Sequence, residues 1–288
     1  MTDTTNTWQP ILEGDLADRA RGAVEEIAES LKPAILAADP SQDVSALAPW
    51  RRSTFSLAGG RSGEALLFTY LDQAFPGRGY DGVAALALEQ ASEDLGQVQA
   101  PPGLYSGFSG VAWTVEHLQG RLIEPDDDPG EDIADAMAEH LSITPWRGDY
   151  DLISGLVGYG VYALERMPRP QGEECLARVV ARLDETAEKG ADYVTWLTRP
   201  ELLPPRTREE TPEGNYNAGV AHGVPGVIGL LGEVCAAGVA LEQARPLLEG
   251  SVSWLLDHRL PPGGFSVFPY SVIPGRELSS TRLAWCYG

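Results

Sequence analysis

The 288-residue sequence is poor in several residue types, and each shortage excludes a class of protein. Its three cysteines, Cys175, Cys235 and Cys286, are widely spaced and odd in number, so they form no disulfide framework. Lys and Arg number 21 against 42 acidic side chains, a net charge of −21. Nucleic-acid partners are thereby disfavoured, because phosphate binding needs clustered cations that displace counterions, and so is an anionic membrane surface. No run approaches the roughly 18 apolar residues of a membrane span. The start, MTDTTNTWQPILEGD, carries acid where a signal peptide needs base. CxxC, HExxH and closely spaced His pairs are missing, so no local zinc motif exists. GGRSGEAL, from Gly59, lacks the Lys-Ser/Thr ending of a phosphate loop, and there is no GxSxG elbow or kinase signature. The expectation is a soluble, cytoplasmic protein.

What is present is an ample apolar share, 43%, and an excess of punctuation: 32 glycines and 22 prolines. Together these make about 19% of the chain, against an average near 12%. The glycines are ordered. A Gly-x-x-Gly element recurs at Gly60–Gly63, Gly107–Gly110, Gly155–Gly158 and Gly223–Gly226, and Gly288 falls at the next step. Each complete element is followed by an apolar run: EALLFTYL, VAWTVEHL, YGVYALE and VIGLLGEV. Such runs, without strand-like alternation, predict buried helices, and glycine at a helix start admits a close neighbouring backbone or ligand.

Between these runs lie amphipathic stretches near 81–93, 131–141, 173–190 and 241–257, preceded by one with Leu16, Ala20, Val24, Ile27 and Leu31 on a single face. The chain therefore alternates an amphipathic with an apolar, glycine-started helix, and strand signals are sparse. An open α-solenoid keeps a tighter repeat length and exposes one helix of each pair. The irregular spacing and the apolar second helices favour an all-α, α/α toroid, with the glycine loops gathered at one rim as a natural site.

Among the four histidines, His117, His140 and His258 read as surface or satisfied core residues, and Cys175 and Cys235 as inert helical thiols. His222, Asp151 and Cys286 instead lie before or within glycine elements, so three repeats would bring them to one rim. His222 and Cys235 are 13 residues apart, roughly 20 Å along one helix, and cannot share an ion. Any metal site would have to draw on different repeats.

The ordered motifs GLYSGFSGVAW (103–113), YDLISGLVGYGVYAL (150–164), NYNAGVAHGVPGVIGLL (215–231) and RLAWCYG (282–288) resemble those of the LanC-like lanthionine synthetase cyclases, which close thioether rings in lanthipeptides. The resemblance runs from about residue 50 to the last residue and includes the connector before the His motif. It implies an α/α toroid of about seven helix pairs and a zinc ion. It makes Cys286 the first zinc ligand, His222 the proton-handling residue with Asp151 beside it, and Arg282 and Tyr287 two further active-site residues. The implied partners are a dehydrated precursor peptide and a lanthipeptide dehydratase.

The pattern also departs from the family. The chain ends inside the motif that carries the first ligand, and the later Cys-His ligand pair is missing. Residues 1–288 are therefore expected to form one incomplete toroid of about five helix-pair repeats, truncated, exposing apolar surface at an open edge and binding little or no zinc. Little or no cyclase activity is expected of this chain alone. A non-catalytic α/α toroid that binds a peptide or partner is the alternative. A sugar-cleaving toroid with paired carboxylates is disfavoured, because the glycine elements carry His and Cys instead.

Overall fold

The computed structural model describes residues 10–37, 54–124, 128, 130–282 and 284–286. Among these described residues ten α-helices dominate: α1 (Gly14–Leu36), α2 (Arg61–Ala74), α3 (Tyr80–Gly96), α4 (Phe108–Leu118), α5 (Glu131–Ser142), α6 (Leu156–Glu165), α7 (Pro170–Thr186), α8 (Pro205–Glu210), α9 (Val224–Ala237) and α10 (Leu241–Asp257). The strands are two short antiparallel pairs, β1 (Glu188–Lys189) with β2 (Val194–Thr195) and β3 (Tyr216–Asn217) with β4 (Ser271–Val272). Every apolar run predicted from the sequence lies in a helix, as does every amphipathic stretch except the end of 173–190, where α7 stops at Thr186 and β1 follows.

The glycine-started helices α2, α4, α6 and α9 pack each on the next and form the inner layer. The amphipathic helices α3, α5, α7 and α10 lie outside them, each against the inner helix that precedes it. This is the α/α toroid. Its main core is built from α4 to α7, α9 and α10, around Leu156, Tyr162, Leu176, Val227 and Leu231. A second cluster joins α1, α2 and α3 through Ile35, Phe68, Tyr80 and Leu88. At the far ends of α4 and α6 the fully buried Arg166 guanidinium pairs with Glu116 and donates to both oxygens of Asp128, at 2.9 and 2.7 Å. Such a buried cation is tolerated because its charge and its two terminal nitrogens meet carboxylates.

The first helix departs from the sequence pattern. α1 seats Ala28 and Ile35 on α3 and leaves Leu16, Val24 and Ile27 exposed. Among the described residues it packs mainly on α3, with α2 reached near its end, and so buries only part of its apolar face. Large apolar side chains are also exposed along 256–285, among them Leu256, Phe265, Val267 and Trp285.

The glycine elements have a steric cause. Each inner helix is entered by a loop that folds back over its first turn. A Cβ on Gly110, Gly158 or Gly226 would lie 2.0, 2.4 or 2.4 Å from the carbonyl oxygen of Leu104, Leu152 or Val220, six residues earlier. A Cβ on Gly107, Gly155 or Gly223 would meet Pro101, Asp149 or Asn217 in the same way. The N-cap glycines are extended, so space and not a left-handed backbone requires them. No side chain caps these helices. Loop carbonyls do so instead: Asp149, Tyr150 and Asp151 accept from the N–H groups of Leu156, Val157 and Gly158.

Two substitutions of the same size should therefore act in opposite directions. Gly110→Ala is expected to lose about 2 kcal/mol or more in chemical denaturation, because rigid backbone occupies the Cβ position. Gly232→Ala, with nothing near its Cβ, should gain up to about 1 kcal/mol as an ordinary helix-interior replacement.

Candidate functional site

The helix-entry loops are joined edge to edge by backbone hydrogen bonds. Ala58 N–H donates to Tyr105 O, Tyr105 N–H to Ile153 O, Leu152 N–H to Ala221 O, and Val220 N–H to Trp285 O, all at 3.0–3.1 Å. One such bond between each pair of successive loops sets five loops in register at one end of the inner helices.

That register brings two sequence-predicted residues together. His222, on the loop before α9, places Nδ1 2.7 Å from Oδ2 of Asp151, on the loop before α6. A carboxylate only accepts, so Nδ1 carries the proton and Nε2 is the atom at which His222 exchanges protons. Asp151 is buried and the His222 side chain is 37% exposed, a pair anchored in protein and open towards solvent. The other carboxylate oxygen of Asp151 accepts from Ser154 N–H at 2.7 Å, which fixes its orientation. The hydrogen bond from Asp151 raises the pKa of His222 above the usual imidazole value, against the opposing effect of burial.

A third ionisable group lies alongside, and the sequence reading missed it. Asp149 Oδ1 accepts from the N–H groups of Tyr150 and Asp151, at 2.7 and 3.3 Å. Burial, and then the charge of Asp151, push its pKa up to about 6. A signal was available: Asp149 stands six residues before Gly155, as Asn217 stands six before Gly223. Burial also holds the phenols of Tyr150 and Tyr159, both near the two carboxylates, well above their usual range.

Cys286 is half-buried on the adjoining loop, whose Trp285 carbonyl is bonded to Val220, two residues before His222. The Trp285 ring stacks on Tyr105 with centroids 6.2 Å apart, so this loop is held from two sides. The Arg282 side chain is exposed and forms no hydrogen bond or ion pair with the described residues, its main-chain carbonyl alone accepting from the Thr281 hydroxyl, so the structure does not join it to the pair. Tyr287 lies outside the described residues. Among the described residues no group of three His, Cys, Asp or Glu side chains is placed to hold a metal ion.

The remaining histidines and cysteines are held elsewhere. His117 lies between the Tyr70 hydroxyl and Glu165, at 2.6 and 2.9 Å, and stacks on Trp113. His140 packs edge-on against Trp146 and Tyr159, and His258 Nδ1 donates to Trp254 O. Burial pushes the Cys175 thiol up to about 12. A separate cleft of about 200 Å³ is lined by Tyr150, Trp196, Arg199 and Leu202 and contains none of His222, Asp151 or Cys286.

An α/α toroid whose inner-helix loops carry a His–Asp pair, with a cysteine on the next loop, defines a class of protein. The family model for lanthionine synthetase C-like proteins matches residues 53–288, and the chain belongs to that family. In three dimensions it is similar to nisin cyclase, with a TM-score of 0.70 and 21% identity over 93% of this chain and 67% of that one, a likeness of fold. Among curated proteins no sequence match is found. No helix among the described residues is long and apolar enough to cross a membrane.

The pair has a direct test in the imidazole titration of His222, followed by NMR. Asp151→Asn should lower its midpoint, because the charge that favours the imidazolium is removed. The sign for stability follows. A raised imidazole pKa stabilises the fold fully below the unfolded value near 6.5, and that contribution fades as pH rises through the folded-state value. The stability gap between wild type and Asp151→Asn should therefore be wider at pH 6 than at pH 9.

Proposed function

We propose that this protein belongs to the machinery that forms thioether rings in a dehydrated precursor peptide, and that Asp151 and His222 are its proton-handling residues. The observation that carries this reading is the 2.7 Å contact between two residues 71 positions apart, formed at the loop rim of a lanthionine synthetase C-like fold.

The chemistry needs such a pair. A cysteine thiolate of the peptide adds to the β-carbon of dehydroalanine or dehydrobutyrine: a C–S bond forms, the C=C π bond breaks, and negative charge moves to the α-carbon and its carbonyl. A proton delivered to the α-carbon completes the addition, and no atom is lost. His222, with Nδ1 oriented by Asp151, presents Nε2 as the general acid. Its raised pKa keeps more of the imidazole in the donating form near neutral pH. Arg282 is the proposed cation for the developing enolate and Tyr287 a further residue at that centre, both by their place in the R-x-x-x-C-Y pattern.

Zinc is the family's expected cofactor, and Cys286 is the residue proposed to bind it. Catalytic zinc takes three protein ligands, whereas the described residues supply one thiol and no cluster of three donors. The described donor set therefore does not fit a zinc site, and no step is routed through the metal. The cytoplasm, where precursor peptides and a dehydratase would be met, is the proposed location.

Two measurements test the proposal. The purified 288-residue protein should retain less than about 0.2 zinc per chain by elemental analysis, as expected of a site far short of three ligands; stoichiometric zinc would overturn that expectation. A dehydrated, cysteine-containing peptide should bind and shift the His222 imidazole resonances while its free thiols are consumed at the uncatalysed rate. Failure of such peptides to bind sinks the cyclase reading. Binding that places the peptide away from His222 favours the non-catalytic scaffold.

A further inference from the structure

We propose that Asp149 is a positioning residue of this site, a second carboxylate that acts through Asp151 to keep the proton on His222 until the substrate takes it. The proposal rests on the reading of His222 as the proton-handling residue. It is carried by a comparison that the molecule makes within itself.

Asp149 and Asn217 occupy the same place in two successive repeats, six residues before the first glycine of the element. Both make the same turn. Asp149 Oδ1 accepts from the N–H of Asp151 at 3.3 Å, and Asn217 Oδ1 accepts from the N–H of Gly219 at 2.8 Å. Their main-chain carbonyls take the same position over the helix start, 2.4 and 2.1 Å from where a Cβ on Gly155 or Gly223 would lie. In the repeat before, Pro101 puts its carbonyl there with no side-chain acceptor at all. The local fold thus asks at most for an amide oxygen, and an asparagine supplies it one repeat later.

A carboxylate in that place costs stability, because it is desolvated and lies beside the charge of Asp151. Four titratable groups face it: Asp151, His222 and the phenols of Tyr150 and Tyr159. Both phenols stay protonated through the neutral range, and the Tyr159 hydroxyl already donates to Ser154 O at 2.7 Å. The cation facing the two carboxylates among these groups is therefore His222 in its protonated form. Two carboxylates opposite one imidazole hold its proton more firmly than Asp151 alone. When His222 gives the proton up, the negative charge left behind is spread over a pair that can take a proton back from water.

Asp149→Asn tests this without any peptide. The amide keeps the turn, so the variant should fold and be more stable than wild type. Asp149 has its folded-state pKa raised, so its contribution is intact below the unfolded value and is lost as pH rises through about 6. The rise in denaturation midpoint should accordingly be larger at pH 8 than at pH 5. In the same variant the NMR midpoint of His222 should fall by about 0.3 pH unit or more, a twofold loss of proton affinity. In wild type the His222 resonances should follow two midpoints, one of them belonging to Asp149, and a single midpoint overturns the proposal even if the variant does not fold. A folded Asp149→Asn protein whose His222 midpoint is unchanged reduces Asp149 to a turn residue. Peptide binding enters neither measurement, so failure of the cyclase reading is seen separately.

Discussion

The whole arrangement depends on one packing contact: a loop carbonyl resting on the first turn of the helix that the loop enters. That contact needs hydrogen in place of a Cβ at two positions three residues apart, which is why Gly-x-x-Gly recurs. It also stands in for side-chain capping at α4 and α6, where the Pro101 and Asp149 carbonyls that crowd the first glycine accept from Phe108 N–H and Leu156 N–H. With its helix end satisfied in this way, each loop has other N–H and C=O groups left to pair with the next loop. Five successive loops are stitched at the rim by main-chain hydrogen bonds.

A backbone-built rim frees its side chains for chemistry. Asp151, His222 and Cys286 lie on loops whose course is set by main-chain bonds. The His222–Asp151 pair spans two repeats, and its 2.7 Å distance is held by the neighbouring Leu152–Ala221 bond. The two ends of the inner layer contrast in their use of charge. At the far end, Arg166 meets Glu116 and Asp128 in a closed network that joins α4 and α6. At the rim, two carboxylates are packed together beside one half-exposed imidazole. The first arrangement satisfies its charges; the second leaves them able to exchange a proton.

Much of this was legible along the chain. The glycine spacing and the alternation of apolar and amphipathic stretches marked the helices, their two layers and the rim. Asp151 and His222 were legible because each sits at a glycine element. Asp149 was not, because its place six residues before Gly155 marks a turn, and only the folded loops show what burial and Asp151 do to its carboxyl group. The exposure of much of α1 was not legible for a related reason. Its periodicity shows that Leu16, Val24 and Ile27 share a face, whereas burial depends on how many helices stand beside it.

The sequence by itself determined the repeat, the helices and the residue types offered at the rim, because steric demand at glycine and helical period are local and leave a local trace. Tertiary structure alone decided that Asp151 touches His222, that Trp285 lies on Tyr105 beside the same loops, and that Asp149 is forced against a like charge. The first two are relations between residues tens of positions apart, and the third, between residues two apart, depends on the burial that the packed loops impose. Proximity, desolvation and charge coupling arise only when the loops are drawn together, so no single stretch of chain records them.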